Sequence, residues 1–184
     1  MDENLEILIR QCQKKQRNAQ EDIYKKYSSV LFSVCLRYTN SYEDAQDVFQ
    51  DGFIMIFNKI NQFRFEGSFE GWLKRIMVNT CIERHRGKNH LYIINEEIIA
   101  DENSDEMELE SEEYNYADLL EFVRALPDRY QQVFNLYAIE GYSHQQIADL
   151  LKISVGTSKS NLSRAREKLK DLIKKNSEIN IMSK

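Results

Sequence analysis

Polar and basic side chains recur between positions 157 and 166, where they carry the chemistry needed to recognise DNA. The set is Thr157, Lys159, Ser160, Asn161, Ser163, Arg164 and Arg166. Lysine and arginine bind guanine edges in the major groove, and asparagine binds adenine. Residues 143–151 and a three-residue turn precede this set, and together they predict a helix-turn-helix. The alternative is a helical hairpin that packs only for structure, which does not require a basic second helix.

A second candidate group is acidic and amide in character. Asp44, Asp47, Gln50 and Asp51 are predicted on a helix edge that faces away from a stripe of phenylalanines. Such an edge suits docking on a basic helix of a partner. One alternative is a plain solvated face. Another is a divalent-metal site, which would need more ligands converging from elsewhere in the chain.

The histidines and cysteines predict neither metal binding nor catalysis. The histidines are His85, His90 and His144, without metal-ligand spacing, and His144 is expected on the surface near a helix start. The cysteines are Cys12, Cys35 and Cys81, and they lie far apart without a CxxC pair. This favours free packed thiols in a reducing, cytoplasmic compartment. No phosphate-binding loop or dinucleotide glycine pattern occurs, so no cofactor is predicted.

Helices must position these residues, because one proline and six glycines are too few turn formers for many short strands. Apolar residues recur at helical steps in three stretches of the first ninety residues, namely 23–38, 45–60 and 69–80. Capping residues are predicted before them at Asn18, Ser41 and Ser68. No apolar run approaches the roughly 20 residues of a membrane-spanning helix.

The last third of the chain predicts three further helices. The first begins at Pro127, buries an inner stripe of Val133, Phe134, Tyr137 and Ala138, and ends at Gly141. The second starts with the capping box Ser143-x-x-Gln146. The third is expected over residues 155–175.

The charge pattern divides the chain into three parts. Residues 1–90 have a net charge of +2, residues 91–121 have twelve acidic and no basic residues, and residues 122–184 have a net charge of +5. The acidic segment is expected to be an extended linker. The predicted fold is therefore all-α, with two small helical domains, 1–90 and 122–184, joined by an acidic flexible linker. The linker is either a solubilising spacer or a polyanion that occupies a channel built for nucleic acid.

Two blocks of sequence resemble the extracytoplasmic-function (ECF) sigma factors, the small specificity subunits of bacterial RNA polymerase. The first block includes DAQDVFQDGF and FRFEGSFEGWLKRIMVNTC, and the second includes SVGTSKSNLSRAREKL. Together they cover about four-fifths of the chain in the family's order. Three residues depart from the family pattern: Ser158 replaces an apolar residue, Asn161 a frequent arginine, and Lys152 a common turn glycine.

The resemblance implies a sigma factor that is not an enzyme and that directs core RNA polymerase to promoter DNA. The edge at Asp44, Asp47, Gln50 and Asp51 would grip the polymerase clamp helices, and the helix-turn-helix would read the −35 element. The linker would thread polymerase channels. An anti-sigma factor, often membrane-bound in this family, is a further implied partner.

The resemblance also implies residues that recognise and melt the −10 element. The loop that cups a flipped base would comprise Arg64, Phe65, Glu66, Gly67 and Ser68, with Asn79 lining its pocket. Cations that would hold the exposed strand are Lys74, Arg75, Arg84 and Arg86. Trp72 is assigned to the core rather than to base stacking.

Two other classes of protein remain open on sequence alone. A one-component repressor or activator would bind a palindromic operator as a dimer without polymerase, and it leaves DAQDVFQDGF without a role. A pure interaction protein, such as an adaptor, would bind polymerase without opening promoters.

Overall fold

The computed structural model describes residues 2–89 and 115–182, with side chains for residues 2–85, 115 and 117–176. Every regular element within these ranges is helical, which confirms the predicted all-α class. The chain divides into two compact units, residues 1–91 and 92–184. In the ranges the structure covers, no helix has the length and apolarity to span a bilayer.

In the first unit, residues 2–89 are described by the structure and form four helices. α1 spans Glu3–Gln13, α2 spans Arg17–Tyr38, α3 spans Tyr42–Lys59 and α4 spans Phe69–Asn89, with a 3-10 turn at Ile60–Gln62. α2, α3 and α4 pack pairwise against each other, whereas α1 packs on α2 and on the 3-10 turn. The apolar stripes predicted for α2, α3 and α4 supply the core; its fully buried members include Ile23, Leu31, Val34, Val48, Ile56, Leu73 and Met77.

Side-chain caps fix where two of these helices begin. The Ser41 hydroxyl accepts a hydrogen bond from the Asp44 backbone N–H at 3.1 Å, and Ser68 accepts one from the Gly71 N–H at 3.2 Å. Both serines were predicted as caps. The predicted cap at Asn18 is wrong, because α2 already begins at Arg17, with Gln16 as an N-cap that makes no side-chain bond.

Gly52 of α3 lies against the Met77 side chain of α4. A Cβ at this position would overlap Sδ of Met77. The absence of a side chain at Gly52 therefore makes room for the Met77 thioether.

Residues 115–182, the described part of the second unit, also form four helices. α5 spans Tyr116–Arg124, α6 spans Asp128–Phe134 and continues into a π-helical turn at Asn135–Ile139, α7 spans His144–Leu151 and α8 spans Val155–Met182. α8 thus extends beyond the predicted end at residue 175.

α5 begins inside the segment that was predicted to be extended. Asn115 and Asp118 form a reciprocal capping box at its start. This box stabilises the first turn of α5, although the acidic composition of the segment predicted an extended linker. Phe122, Val123 and Leu126 then pack with Ala165 and Leu169 of α8 in one apolar cluster. The burial of this apolar face stabilises the helix and explains why α5 forms although its first residues belong to the acidic segment.

The π-helical turn alters which side chains face inward after α6. It adds about one residue to the turn, as the 2.9 Å bond from the Glu140 N–H to the Asn135 carbonyl shows. Asn135 and Leu136 are buried as a result, while Tyr137 and Ala138, predicted in the inner stripe, are exposed. The prediction for these last two residues was wrong because it assumed unbroken α-helical spacing.

Local bonds define the helix-turn-helix formed by α7 and α8. The predicted capping box is present, since the Ser143 hydroxyl accepts from the Gln146 N–H and the Gln146 side chain accepts from the Ser143 N–H. α7 ends at Leu151, and its C-cap residue is Lys152, whose φ of 59° and ψ of 44° lie in the left-handed region. The Ser154 hydroxyl accepts from the Thr157 N–H at 2.9 Å and caps the start of α8.

Candidate docking and nucleic-acid interfaces

The acidic edge of α3 consists of Asp44, Asp47 and Asp51, with Gln50 exposed beside them. The side chains of Asp47 and Asp51 are 62% and 56% exposed, and that of Asp44 is 32% exposed. They lie on the surface away from the buried Val48 and Phe53. The structure therefore brings the predicted docking residues together on one accessible side of the helix.

A guanidinium from α4 lies against this acidic edge. Arg84 places Nη2 at 2.9 Å from Oδ2 of Asp47 and at 3.8 Å from Oδ1 of Asp44, while its Nη1 lies 3.6 Å from Oδ2 of Asp51. One arginine thus faces three carboxylates, an arrangement that favours a planar cation with several donors.

Arg84, which was predicted to contact the −10 element, is thus paired with the acidic edge of α3 in the structure. Its assignment to DNA stays a prediction, and the structure adds a role within the first unit. Arg86, predicted beside it, lies in α4, but its side chain is outside the described residues.

The loop between the 3-10 turn and α4 combines a buried anchor with exposed polar residues. Phe63 is buried, with its ring centroid 4.9 Å from that of Phe69 and 5.5 Å from that of Trp72. Arg64, Glu66, Gly67 and Ser68 are exposed, while Phe65 is half-buried. Phe65 and Gly67 both have positive φ, 62° and 80°. The polar groups of the loop are therefore accessible, while the buried Phe63 ring fixes the start of the loop.

The residues predicted on the following helix are only partly available. Lys74 makes a 2.8 Å ion pair with Glu70, Arg75 is exposed, and Asn79 is half-buried. The Trp72 ring is half-buried and stacks on Phe69 with an interplanar angle of 15°. Because Trp72 also contacts Phe63, its position fits the core assignment better than that of an open stacking platform.

The predicted DNA-reading residues of α8 differ in accessibility. Lys159 is exposed, and Ser160, Ser163 and Arg166 are half-buried. Thr157 is half-buried, with its hydroxyl 2.8 Å from that of Ser154.

Arg164 lies towards α6 instead. Its Nη1 is 3.4 Å from the Tyr130 hydroxyl. Among the candidates, Lys159 therefore offers the most accessible cation.

The two departures from the family pattern in α8 are both buried. Ser158 is 0% exposed and Asn161 is 8% exposed. Asn161 therefore packs inside the unit, and its predicted contact with adenine would need this side chain to move.

Ser158 is satisfied by a residue that sequence reasoning set aside. Its hydroxyl lies 2.9 Å from Nδ1 of His144, and the His144 ring stacks on Tyr137 at 4.5 Å. Burial, followed by the charges of Lys159 and Arg166, lowers the pKa of His144, so its ring is neutral at pH 7. His144 is thus half-buried rather than on the surface, and it links α7 to α8. The sequence contains a signal for this pair, because Ser158 is polar at a position expected to be apolar. A buried polar residue of this kind requires a hydrogen-bond partner, here on the neighbouring helix.

The thiols are poor nucleophiles in this setting. Cys12, Cys35 and Cys81 are free and buried. Burial raises the pKa of Cys12 to about 11. A hydrogen bond with Cys35, together with burial, raises the pKa of Cys81. Among the residues that the structure describes, no group of three or more histidine, cysteine, aspartate or glutamate side chains has an arrangement that could hold a metal ion.

Comparisons with known proteins match both units. A family model described as Sigma-70 region 2 matches residues 23–90, and one described as Sigma-70, region 4 matches residues 116–169. The ECF RNA polymerase sigma factor SigW of Bacillus subtilis is 30% identical over 174 residues, which cover 88% of this chain and 92% of that protein. The ECF RNA polymerase sigma-E factor of Haemophilus influenzae is 30% identical over 186 residues, covering 91% and 94%.

Solved structures of low sequence identity share the fold. The sigma factor RpoE from Bartonella quintana, in complex with the anti-sigma factor NepR, superposes with a TM-score of 0.54 at 19% identity and covers 84% of this chain and 98% of that one. CnrH in complex with the cytosolic domain of CnrY gives a TM-score of 0.51 at 21% identity, with coverage of 91% and 96%.

Proposed function

The chain belongs to the ECF sigma factors of bacterial RNA polymerase, and from that premise we propose how its two units divide the work of promoter recognition. The unit formed by α1–α4 docks on core polymerase and opens the −10 region, and the unit formed by α5–α8 reads the −35 element as duplex. The observation that carries this proposal is that each of the two matched sigma regions folds into its own helical unit, in the family's order along one chain.

Transcription in vitro with core polymerase and a randomised promoter library tests the whole proposal. We expect initiation at a defined pair of sequence elements that depends on this protein. Core polymerase that neither captures the chain nor initiates at new sites would refute it. Capture without initiation would instead support an adaptor.

The acidic edge of α3 is the proposed contact with polymerase. Asp47 accepts a hydrogen bond from Arg84, and Asp44 and Asp51 lie at ion-pair distance from the same guanidinium, so the edge has the geometry to bind cationic side chains of a partner helix. Arg84 neutralises part of this edge, and a basic partner helix would compete with it for the same oxygens.

Charge reversal tests this contact. Asp47→Lys together with Asp51→Lys should abolish association with core polymerase, measured by gel filtration or anisotropy. Asp22→Lys on α2 is the matched control, because Asp22 is an exposed acid of the same unit with no proposed role. Retained binding by the double variant would refute the docking assignment.

The loop at residues 64–68 is the proposed element that receives an unpaired base of the −10 element. Its support is the exposure of Arg64 and Glu66 beside the aromatic anchor Phe63. Asn79 is half-buried, and in this proposal its polar side chain lines the pocket that receives the base. Among the cations of α4 whose side chains the structure describes, Arg75 is the most accessible to the strand's phosphates.

α8 is the proposed reader of the −35 element. Arg164→Ala should weaken binding by about 1–3 kcal/mol on the preferred element if Arg164 contacts a base edge. Lys159→Ala is the companion variant, since Lys159 is exposed whereas Arg164 lies near Tyr130. Equal losses on all sequences would instead mark either residue as a phosphate contact.

The chain is proposed to be a non-enzymatic subunit that acts in the cytoplasm, where polymerase carries out the chemistry. We further propose an anti-sigma protein as a partner that silences it, since one structural relative is solved in complex with the anti-sigma factor NepR and another with the cytosolic domain of CnrY. A candidate partner qualifies only if an equimolar amount blocks association with core polymerase.

A further inference from the structure

Phe65 occupies a backbone conformation that bulky residues rarely adopt. Its φ of 62° lies in the left-handed region, and a strain of this kind persists only where surrounding contacts hold it. The neighbouring Gly67 has a positive φ without this penalty. The contacts that hold Phe65 therefore decide the shape of the loop at residues 63–68.

One of these contacts comes from α1. The Arg10 guanidinium lies over the Phe65 ring, with Cζ 4.5 Å from the ring centroid, which is the geometry of a cation–π interaction. Glu6 holds the guanidinium in place, since its Oε1 accepts from Nε at 3.0 Å and from Nη2 at 2.6 Å. On another side, the Phe63 ring lies 5.3 Å from that of Phe65.

A second contact from α1 holds the backbone at the start of the loop. Gln13 donates through Nε2 to the Ile60 carbonyl at 3.1 Å and to the Phe63 carbonyl at 3.3 Å. α1 is itself anchored, because Ile9 and Cys12 on the same helix are fully buried. Arg10 and Gln13 thus connect a fixed helix to the loop at two points.

We propose that α1 is a brace for the loop at residues 64–68, which means that it holds this loop in the shape that promoter opening requires. Arg10 and Gln13 are the positioning residues of this brace. The proposal rests on the function proposed for the loop. It extends the working part of this unit to residues 3–13, which lie before the matched family region that starts at residue 23. Arg10 acts through Phe65 and does not itself bind the DNA backbone.

The first experiment measures promoter opening by the holoenzyme. Fluorescence of 2-aminopurine placed in the −10 element reports strand separation. Arg10→Ala should reduce the opening equilibrium about two- to five-fold, which corresponds to the loss of an exposed cation–π contact. Gln13→Met, which replaces the amide that donates to the loop by a thioether of similar length, should also reduce it. Arg17→Ala is the matched control, because Arg17 is an exposed arginine just beyond α1. Opening by Arg10→Ala equal to that by Arg17→Ala would overturn the proposal.

A double-mutant cycle separates positioning from direct contact. Phe65→Gly removes both the ring and the backbone penalty, so Arg10→Ala should have little further effect in that background. The same loss in both backgrounds would mean that Arg10 acts on DNA directly. A fall of about 0.7 in the slope of log affinity against log salt would show the same, since that slope counts phosphate contacts on a single strand.

Two readouts keep this proposal distinct from the function on which it rests. Binding to core polymerase and to an isolated −35 duplex should be unchanged in Arg10→Ala and Gln13→Met, and unchanged thermal melting would show that both fold. If the unmodified chain fails to bind polymerase or to open any promoter, the proposed function fails. If it opens promoters and the variants show the same opening and the same −10 base preference, only the brace fails.

Discussion

Ser158 is a fully buried hydroxyl whose hydrogen bond to His144 replaces the apolar packing expected at this position. The pair connects α7 with α8 inside the helix-turn-helix. At the scale of single residues, the serine that stands at position 158 in place of an apolar residue is thus compensated by His144, fourteen positions away, rather than by its neighbours on the helix.

The protonation state of His144 makes the stability of the chain depend on pH. Its folded pKa lies below the ordinary value of 6.5, so the unfolded chain binds the proton more readily. The contribution of His144 to stability is therefore complete above pH 6.5 and declines as the pH falls from 6.5 towards the folded pKa. Urea titrations between pH 5 and 8 should show this decline in the wild-type chain and a weaker one in His144→Gln. Parallel curves for both proteins would contradict the assignment.

The hydrogen bond itself is tested by a second cycle. Ser158→Ala should destabilise the protein by about 1 kcal/mol at pH 7, because it removes a hydrogen bond and leaves the His144 ring unpaired at this site. In the His144→Phe background the same substitution should have a much smaller effect, since no partner remains. Thermal unfolding of the four proteins measures the coupling. Additive effects would show that the contact contributes nothing.

At the scale of elements, the turn between α7 and α8 is held in a conformation that favours glycine. Lys152 has a φ of 59° and ψ of 44°, and an L residue with a Cβ pays about 1–2 kcal/mol in this region. Lys152→Gly removes this penalty, although the freer unfolded chain offsets part of the gain. We expect a net stabilisation of about 0.5–1 kcal/mol by urea unfolding. Lys152→Ala is the control and should show no gain, because alanine keeps its Cβ; a gain in both variants would point to the lost charge instead.

Elements with a regular apolar pattern could be predicted from sequence, and those governed by contacts across the fold could not. The stripes of α2, α3 and α4 and the capping box at Ser143 are local signals, and the structure contains them. The π-helical turn after α6 moved Tyr137 outward because no pattern of steps three and four encodes an extra residue. α5 was missed because its acidic start hid a short apolar face that packs against α8 and against Tyr130 and Phe134 of α6.

The candidate sites show the same division. Asp44, Asp47 and Asp51 share an edge because helical spacing alone places them there. Arg84 reaches that edge from a position 37 residues away, and neither charge nor periodicity could pair it with Asp47. The contact of Arg10 with Phe65 depends on α1 packing against the 3-10 turn, which is again a property of the fold.

At the scale of the whole molecule, charge is distributed so that basic and acidic parts alternate along the chain. Residues 91–121 contain twelve acidic and no basic residues, between a part of net charge +2 and a part of net charge +5. When a short, flexible tether joins an acidic segment to a basic surface, the effective concentration of the segment at that surface is in the millimolar range. The acidic segment is therefore expected to compete with DNA for the basic surfaces when polymerase is absent.

Neutralising that segment should raise the affinity of the free protein for promoter DNA. The variant replaces the ten acidic residues between positions 96 and 113 by their amides and keeps Asp118, because its carboxylate completes the cap at Asn115. We expect an increase of about ten-fold at low salt, measured by anisotropy, and a smaller one at 0.15 M salt, where charges more than about 8 Å apart are screened. A shuffled segment of unchanged charge is the control and should bind as the wild type does.

Addition of the acidic peptide in trans separates competition within the chain from a general effect of net charge. At micromolar concentration the separate peptide should not reduce DNA binding by the neutralised variant, because the tether supplies the effective concentration that the free peptide lacks. Raising the peptide to the millimolar range should restore the weak binding of the wild-type chain. Equal affinities of the neutralised and wild-type chains would show that the acidic segment does not occupy the DNA-binding surfaces of either unit.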